Sequence, residues 1–299
     1  MRTFTVYLAH LLYVNGMKNS AQTAKAERFR ALHAGPKILI LPNAWDAASA
    51  ALVEAAGFPA IATSSAGCAN AMGFADGNCA PRAEMLAAVA RIAAAVELPV
   101  SADLEGGYGA GAENAAQLAR ELLGAGAIGL NLEDGTGNPA KPFKDLPQSL
   151  DEIRAIREAG KSAGVHILIN ARTDTFWEGR GSPEENFAEA VRRCRAFHAA
   201  GADCTFVPGL ENAELIARMV RETQAPLNVL IWPGMPPISD LERLGVRRLS
   251  FGGRPSRAAY GYFRELLAAV VQNGETSRFA SPAISYDEMN RLFASRRKT

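Results

Sequence analysis

The sequence predicts a (β/α)8 barrel, a TIM barrel, with an extended C-terminal helical segment. Three observations carry this expectation. Short apolar runs alternate with helix-patterned stretches along nearly the whole chain, and eight such units can be counted. The apolar runs are too hydrophobic to be half exposed, which implies parallel strands covered by their crossover helices. The 299 residues also accommodate the roughly 250 that one such barrel needs. An open doubly wound sheet would use the same parts, but eight units suit closure better. No internal repeat or low-complexity linker divides the chain.

Each element has its own signal. A first helix is expected over 19–35, with Ser20 as N-cap and Gly35 as terminator. Strand one is "KILILPNAWD", and a helix over 47–57 closes at Gly57. "PAIATSS" is strand two. The helix over 81–96 starts with Pro81 and carries Leu86, Val89, Ala93 and Val96 at helical spacing. Strands "LPVSADLE", "AIGLNLED", "HILINARTD", "DCTFVPG", "LNVLIWPG" and "VRRLSFGG" then alternate with helices over 112–126, 150–164, 182–201, 212–223, 238–245 and 254–274. A last helix is expected near "SYDEMNRLFASRR". The barrel is thus placed at 17–275 and a helical tail at 276–299.

Residues 1–16 differ in character from the rest of the chain and read as an upstream extension outside the fold, with Met17 as an ordinary start. A lone Arg2 and the lack of a small-residue cleavage site argue against a signal peptide, and the stretch is too short to span a bilayer. Composition narrows the function classes. Apolar residues make up 48% and charged residues 21%, which fits a globular domain with a sizeable core. Lys plus Arg number 32 against 31 for Asp plus Glu, so neither nucleic acid nor a membrane surface is an expected partner. Four cysteines without a Cys-x-x-Cys pair suggest reduced thiols and a cytoplasmic location.

Active sites of such barrels lie at the C-terminal strand ends, and polar residues gather there. Strand one ends in Asn43, Trp45 and Asp46, and strand two in Thr63, Ser64 and Ser65. Strand three gives Asp103 and Glu105, strand four Asn131, Glu133 and Asp134, and strand five Asn170, Arg172, Thr173 and Asp174. Acids converging on one mouth repel each other unless a cation lies between them. Spacing of two in a strand lets Asp103 and Glu105 both point inward. The donors are oxygens, and His166 and His198 sit apart, so Mg²⁺ (or Mn²⁺) is the expected ion. Arg172 can clamp a substrate carboxylate or phosphate; the alternative is an ion pair with Asp174 or Glu133. "GAGAIG" (124–129) matches a dinucleotide-binding pattern but comes after a helix and before a strand, so it is read as helix termination.

Together, "LPNAWDAASA", "TSSAGCANAMGFADG", "SADLEGGYG", "GLNLEDG", "INARTD" and "GADCTFVPG" resemble the isocitrate lyase/phosphoenolpyruvate mutase superfamily from about Pro42 to Arg254. The resemblance implies a (β/α)8 barrel, usually a homotetramer with a final helix exchanged between subunits, and Mg²⁺ held largely through water. Carried over by position, Asp103, Glu105 and Glu133 are the implied metal residues, with Asp103 the most direct ligand. Glu105 stands where many members have aspartate. Arg172, Asp76 and Glu133 are the implied catalytic residues. Trp45, Thr63, Ser64, Ser65, Asn131 and Arg172 are the expected substrate-binding set. Two departures stand out. The loop 134–146 lacks the Lys-Lys-Cys-Gly-His of isocitrate lyases, and Gly209 replaces their glutamate.

The leading expectation is a Mg²⁺-dependent lyase for a small 2-oxo or 2-hydroxy carboxylate. It would cleave a C–C bond or decarboxylate through a metal-stabilised enolate while the 134–146 loop closes over the site. The alternatives are P–C bond chemistry of the phosphoenolpyruvate mutase or phosphonopyruvate hydrolase type, loosely echoed by Asn138 and Lys141, and a non-catalytic 2-oxo acid binder.

Overall fold

The computed structural model describes residues 20–280 and 282–294; the expectation for residues 1–16 lies outside them. Helix α1 covers 20–34. The chain continues β1 (Leu39–Leu41), β2 (Asn43–Ala44), α2 (Ala47–Ala55), β3 (Ile61–Thr63), α3 (Ser65–Met72) and α4 (Arg82–Ala94). Then come β4 (Val100–Asp103), α5 (Gly111–Gly124), β5 (Gly129–Glu133), α6 (Leu146–Ser162), β6 (Leu168–Arg172), α7 (Thr175–Glu178) and α8 (Pro183–Ala199). Last are β7 (Cys204–Phe206), α9 (Ala213–Thr223), β8 (Leu227–Leu230), α10 (Ile238–Arg243), β9 (Arg248–Ser250), α11 (Arg254–Asn273) and α12 (Tyr286–Ala294).

The strands form one sheet in the order β1-β9-β8-β7-β6-β5-β4-β3-β2, all pairs parallel. The nine labelled strands make eight staves, because β1 and β2 are halves of one strand split at Pro42. Proline has no N–H to give the ladder. Residues before it pair with β9, while residues after it pair with β3. The Pro42 carbonyl still accepts from Ala62 N at 2.9 Å, so the cylinder closes there. Strand burial is nearly complete on both faces, as helix-covered parallel strands require.

α1 closes the end of the barrel away from the strand tips. Phe29 is fully buried among Leu39, Leu41, Ile128 and Leu168. Gly129 makes room for it, since a Cβ there would lie 3.0 Å from the Phe29 ring. At the opposite end, α2 and α3 start directly on strand tips. Asp46 caps α2 in a reciprocal pair with Ser49, and Ser64 caps α3 by accepting from Gly67 N at 3.2 Å. Helix α6 starts at Leu146, four residues before the expected onset, because Pro147 suits its first turn.

Candidate active site

Asp103 is the last residue of β4, and its carboxylate is the most strongly organised at the mouth. Oδ2 accepts from Ser65 N at 3.0 Å and from Ser65 Oγ at 2.8 Å. Oδ1 has a long contact, 3.5 Å, from Asn131 Nδ2. The Asp103 amide donates to Thr63 Oγ1 at 2.9 Å, which ties β4 to β3. Because Ser65 opens α3, Asp103 also faces the N-terminal end of that helix. Gly67 lets α3 approach: a Cβ there would lie 2.8 Å from Trp45 Cβ and 3.1 Å from Ser256 Oγ.

Glu105 does not obey the strand rule used to place it. The strand ends at Asp103, and Glu105 has φ 49°, a left-handed conformation uncommon for a side-chain-bearing residue. Tyr108 (φ 53°), Gly107 (φ 91°) and Gly109 (φ 153°) continue the bend. The Glu105 carboxylate turns to the Asn78 amide and to Tyr108 Oη, 3.1 Å away, and does not line the cavity. Alternation along a strand puts it beside Asp103; the turn removes alternation. Burial, then the charge of Asp103, raises the carboxyl pKa of both Glu105 and Asp76.

Arg172 is paired rather than free. Its Nε and Nη2 donate to Asp174 Oδ1 and Oδ2 at 2.6 and 3.0 Å, and Nη1 lies 2.7 Å from Glu133 Oε2. Burial opposes its charge, but Glu133 and Asp174 outweigh burial and hold the guanidinium protonated. Burial pushes the Glu133 carboxyl up against the pull of Arg172. The guanidinium also lies 5.0 Å from the Trp177 ring centre. Gly209 (φ 84°) makes room for that indole: a Cβ would come within 3.0 Å of it. The aromatic therefore packs against Gly209, the position where the resemblance implies a glutamate in isocitrate lyases.

The mouth holds a cavity of about 280 Å³. Of the expected residues, Ser64, Ser65, Asp76, Asp103, Asn131 and Arg172 line it. Trp45, Thr63, Glu105 and Glu133 do not. Trp45 packs towards Tyr260, 6.5 Å between ring centres, and the Thr63 hydroxyl serves the β4 backbone. Asp134 is also spoken for: it accepts from Arg193 Nη1 at 3.0 Å and from the Asp174 amide at 3.1 Å. His166 joins Asp203 at 2.6 Å and His198 the Ala202 carbonyl at 2.9 Å. The cavity is also lined by residues absent from the strand-end set, including Trp177, Phe206, Trp232, Phe251, Arg254 and Arg257. The last three trail strand eight, so the same strand-end rule reaches them.

The loop 134–146 is anchored at both ends. Gly135 bridges Phe143, and Lys144 N donates to the Asp134 carbonyl at 2.8 Å. Buried Lys144 Nζ binds Glu152 Oε2 at 2.9 Å and the Gly106 carbonyl at 2.7 Å. The tip, 137–141, is exposed and braced from within: Asn138 N donates to Thr136 Oγ1 at 3.0 Å, and Lys141 Nζ pairs with Asp145 Oδ2 at 2.7 Å.

The residues fit a hard divalent cation. Asp76 and Asp103 line the cavity, and Asp103 Oδ1 keeps lone pairs to give. Among the described residues no three acidic, histidine or cysteine side chains converge on one point. An ion there would have to take most of its ligands from water or substrate, as Mg²⁺ can.

The family model described as phosphoenolpyruvate phosphomutase matches residues 29–271. The chain belongs to the isocitrate lyase/phosphoenolpyruvate mutase superfamily. A Bacillus subtilis 2-methylisocitrate lyase is 32% identical, over 70% of this chain and 68% of its own. A Burkholderia cenocepacia structure provisionally described as a lyase/mutase superposes with TM-score 0.86 at 36% identity, covering 92% of this chain and 97% of that one. A phosphonopyruvate hydrolase solved with oxalate and Mg²⁺ gives 0.80 at 25% identity, over 91% and 96%. This chain is an enzyme of that superfamily. Among its described residues no helix is long and apolar enough to cross a membrane.

Proposed function

We propose that the protein is a Mg²⁺-dependent lyase for a small 2-oxo or 2-hydroxy carboxylate, cleaving a C–C bond or decarboxylating it. The observation that carries the reading is the Asp103 carboxylate, fixed by two bonds from Ser65 and open on Oδ1, facing a cavity too small for a large ligand. Mg²⁺ would supply Lewis-acid stabilisation of the enolate left when the bond breaks. Asp103, with Asp76 nearby, would hold it, while the Ser64 hydroxyl and Asn131 amide orient the substrate's oxygens. Arg172, fixed by Glu133 and Asp174, keeps N–H groups at the cavity wall for the carboxylate. The aromatic wall of Trp177, Phe206 and Trp232 excludes water. Purified protein with Mg²⁺ should turn over a member of a 2-oxo and 2-hydroxy acid panel that includes oxaloacetate. Silence across that panel overturns the reading, and tight binding of oxalate without turnover would make the protein a binder.

A second reading is P–C bond chemistry, favoured by the family model and by the phosphonopyruvate hydrolase relative. Phosphorus NMR on phosphonopyruvate separates the two, because the lyase leaves that signal unchanged.

We also propose a cytoplasmic homotetramer assembled as a dimer of helix-swapped dimers. Tyr260, Phe263, Leu267 and Val271 form one face of α11 and are 42%, 52%, 47% and 86% exposed. That apolar row supports a partner surface. Light scattering should give four chains for the native protein, and fewer for the Leu267→Glu, Val271→Glu double variant.

A further inference from the structure

Below the mouth, the barrel interior holds an unpaired charge. Arg248, on β9, is fully buried. In the sheet order β9 and β5 lie four staves apart in either direction, so they face each other across the cylinder. The Arg248 side chain crosses that interior, because its Nη2 donates to Asn131 Oδ1 on β5 at 3.3 Å. Its Nε and Nη1 have no hydrogen-bond partner among the described residues. Other arginines of the region are provided for: Arg172 by Glu133 and Asp174, and Arg254 by the Ile231 carbonyl at 2.9 Å and the Trp232 ring, 4.2 Å from its centre. Burial draws the Arg248 pKa down to about 10, which leaves it charged at neutral pH. Two titratable groups that feel its charge are neutral there. Burial, then Arg248 itself, brings His33 down to about 4, and burial pushes the Cys204 thiol up to about 12. The carboxylate whose charge reaches Arg248 is Asp103, at the mouth.

Asn131 is the link between this charge and the cavity. Its Oδ1 accepts from Arg248 Nη2 and from Asn170 Nδ2, the latter at 2.7 Å. A guanidinium and an amide donor can meet only the oxygen end of that side chain. Nδ2 is thereby turned to the mouth, where Asn131 lines the cavity and makes only the long contact with Asp103 Oδ1. We propose that Arg248 is a positioning residue: it holds Asn131 with Nδ2 towards the substrate and strengthens that N–H as a donor to the substrate oxygen that gains negative charge. This rests on the reading that the cavity takes a 2-oxo or 2-hydroxy acid, and adds what aims and polarises one of the groups that bind it. A cation on the amide oxygen draws electron density from the amide nitrogen, and such polarisation is strong in a dry interior. The field of Arg248 also favours negative charge at the mouth, because no carboxylate in contact cancels it.

The test is calorimetry of oxalate binding to the full chain with Mg²⁺, read beside thermal melting. Arg248→Met should weaken oxalate binding about ten-fold or more, the effect of one charge-assisted hydrogen bond. Its melting temperature should hold or rise, because an unpaired buried charge is gone. Arg248→Gln keeps a donor for Asn131 without the charge and should fall between Met and native. Arg248→Lys keeps the charge and should recover part of the Met loss. Mg²⁺ affinity measured without oxalate should not fall in any of the three, since Asp103 keeps both bonds from Ser65. Asn131→Ala should weaken oxalate binding in the native background and weaken it several-fold less on top of Arg248→Met, because the two act through one group. Native oxalate affinity in the Met and Gln variants overturns the proposal alone. So does a loss of affinity that tracks a fall in melting temperature and adds fully to that of Asn131→Ala, the mark of a packing role. Should Arg248→Met not fold, the Gln and Lys variants carry the same comparison. A native protein that binds no oxalate overturns the underlying reading, and this proposal with it.

Discussion

The two halves of the barrel mouth are built to opposite ends. On the half formed by β3 to β6, side chains are small and polar, and they hold one another: Ser65 holds Asp103, Thr63 holds β4, and Asn170 Nδ2 holds Asn131 Oδ1 at 2.7 Å. On the half formed by β7 to β9, Phe206, Trp232 and Phe251 make an apolar wall, and the arginines stand at its edge with donors to spare. Arg172 sits between them, its charge matched by Glu133 and Asp174 while N–H groups remain at the cavity wall. The difference teaches that, on the proposed reading, a cation would be served by oxygens locked in place, whereas an organic anion would be served by shape and by donors left open.

The comparison can be broken most sharply at Asp103. Asp103→Asn should lower turnover on whichever panel substrate is found by about 100-fold or more, read by steady-state kinetics across Mg²⁺ concentrations. Arg172→Met comes next, because it leaves Glu133 and Asp174 buried as unmatched acids. A loss of about 3 kcal/mol is expected, seen as a fall in melting temperature along with lost activity. Gly67→Ala strikes the seam between the halves, where the new methyl would meet Trp45 and Ser256. We expect about 1–3 kcal/mol of destabilisation by thermal melting. The smallest effect belongs to the apolar wall. Trp232→Leu keeps bulk but frees Arg254, so KM should rise several-fold while kcat falls less.

The order of elements is legible in the sequence because apolar runs and helix stops are local signals. Pro42 shows where such signals coarsen: one strand by pattern becomes two by hydrogen bonding. Helices α3 and α7 escape the pattern because each is short and rises directly from a strand tip. In the site, Asp103, Ser65 and Asn131 are readable as polar residues at strand ends. Spacing misplaces Glu105 because a left-handed turn cannot be seen in it. Arg172 is readable as important and Asp174 or Glu133 as a candidate partner, but that both engage it at once is fixed only when β5 and β6 align Glu133 beside it. Arg254 and Arg257 escape a search led by acids, although they directly trail the eighth strand.

One side chain spans the seam that Pro42 opens. Asn43 Oδ1 accepts from the Phe251 and Gly252 amides at 2.8 and 2.9 Å, and its Nδ2 donates to the Thr63 carbonyl at 2.7 Å. In mechanical language it is a clevis pin. It joins the strand that carries the arginines to the strand that supports Asp103. Any breathing of the mouth that widens the gap along this line works against three bonds of a single amide as well as the strand ladders beside it.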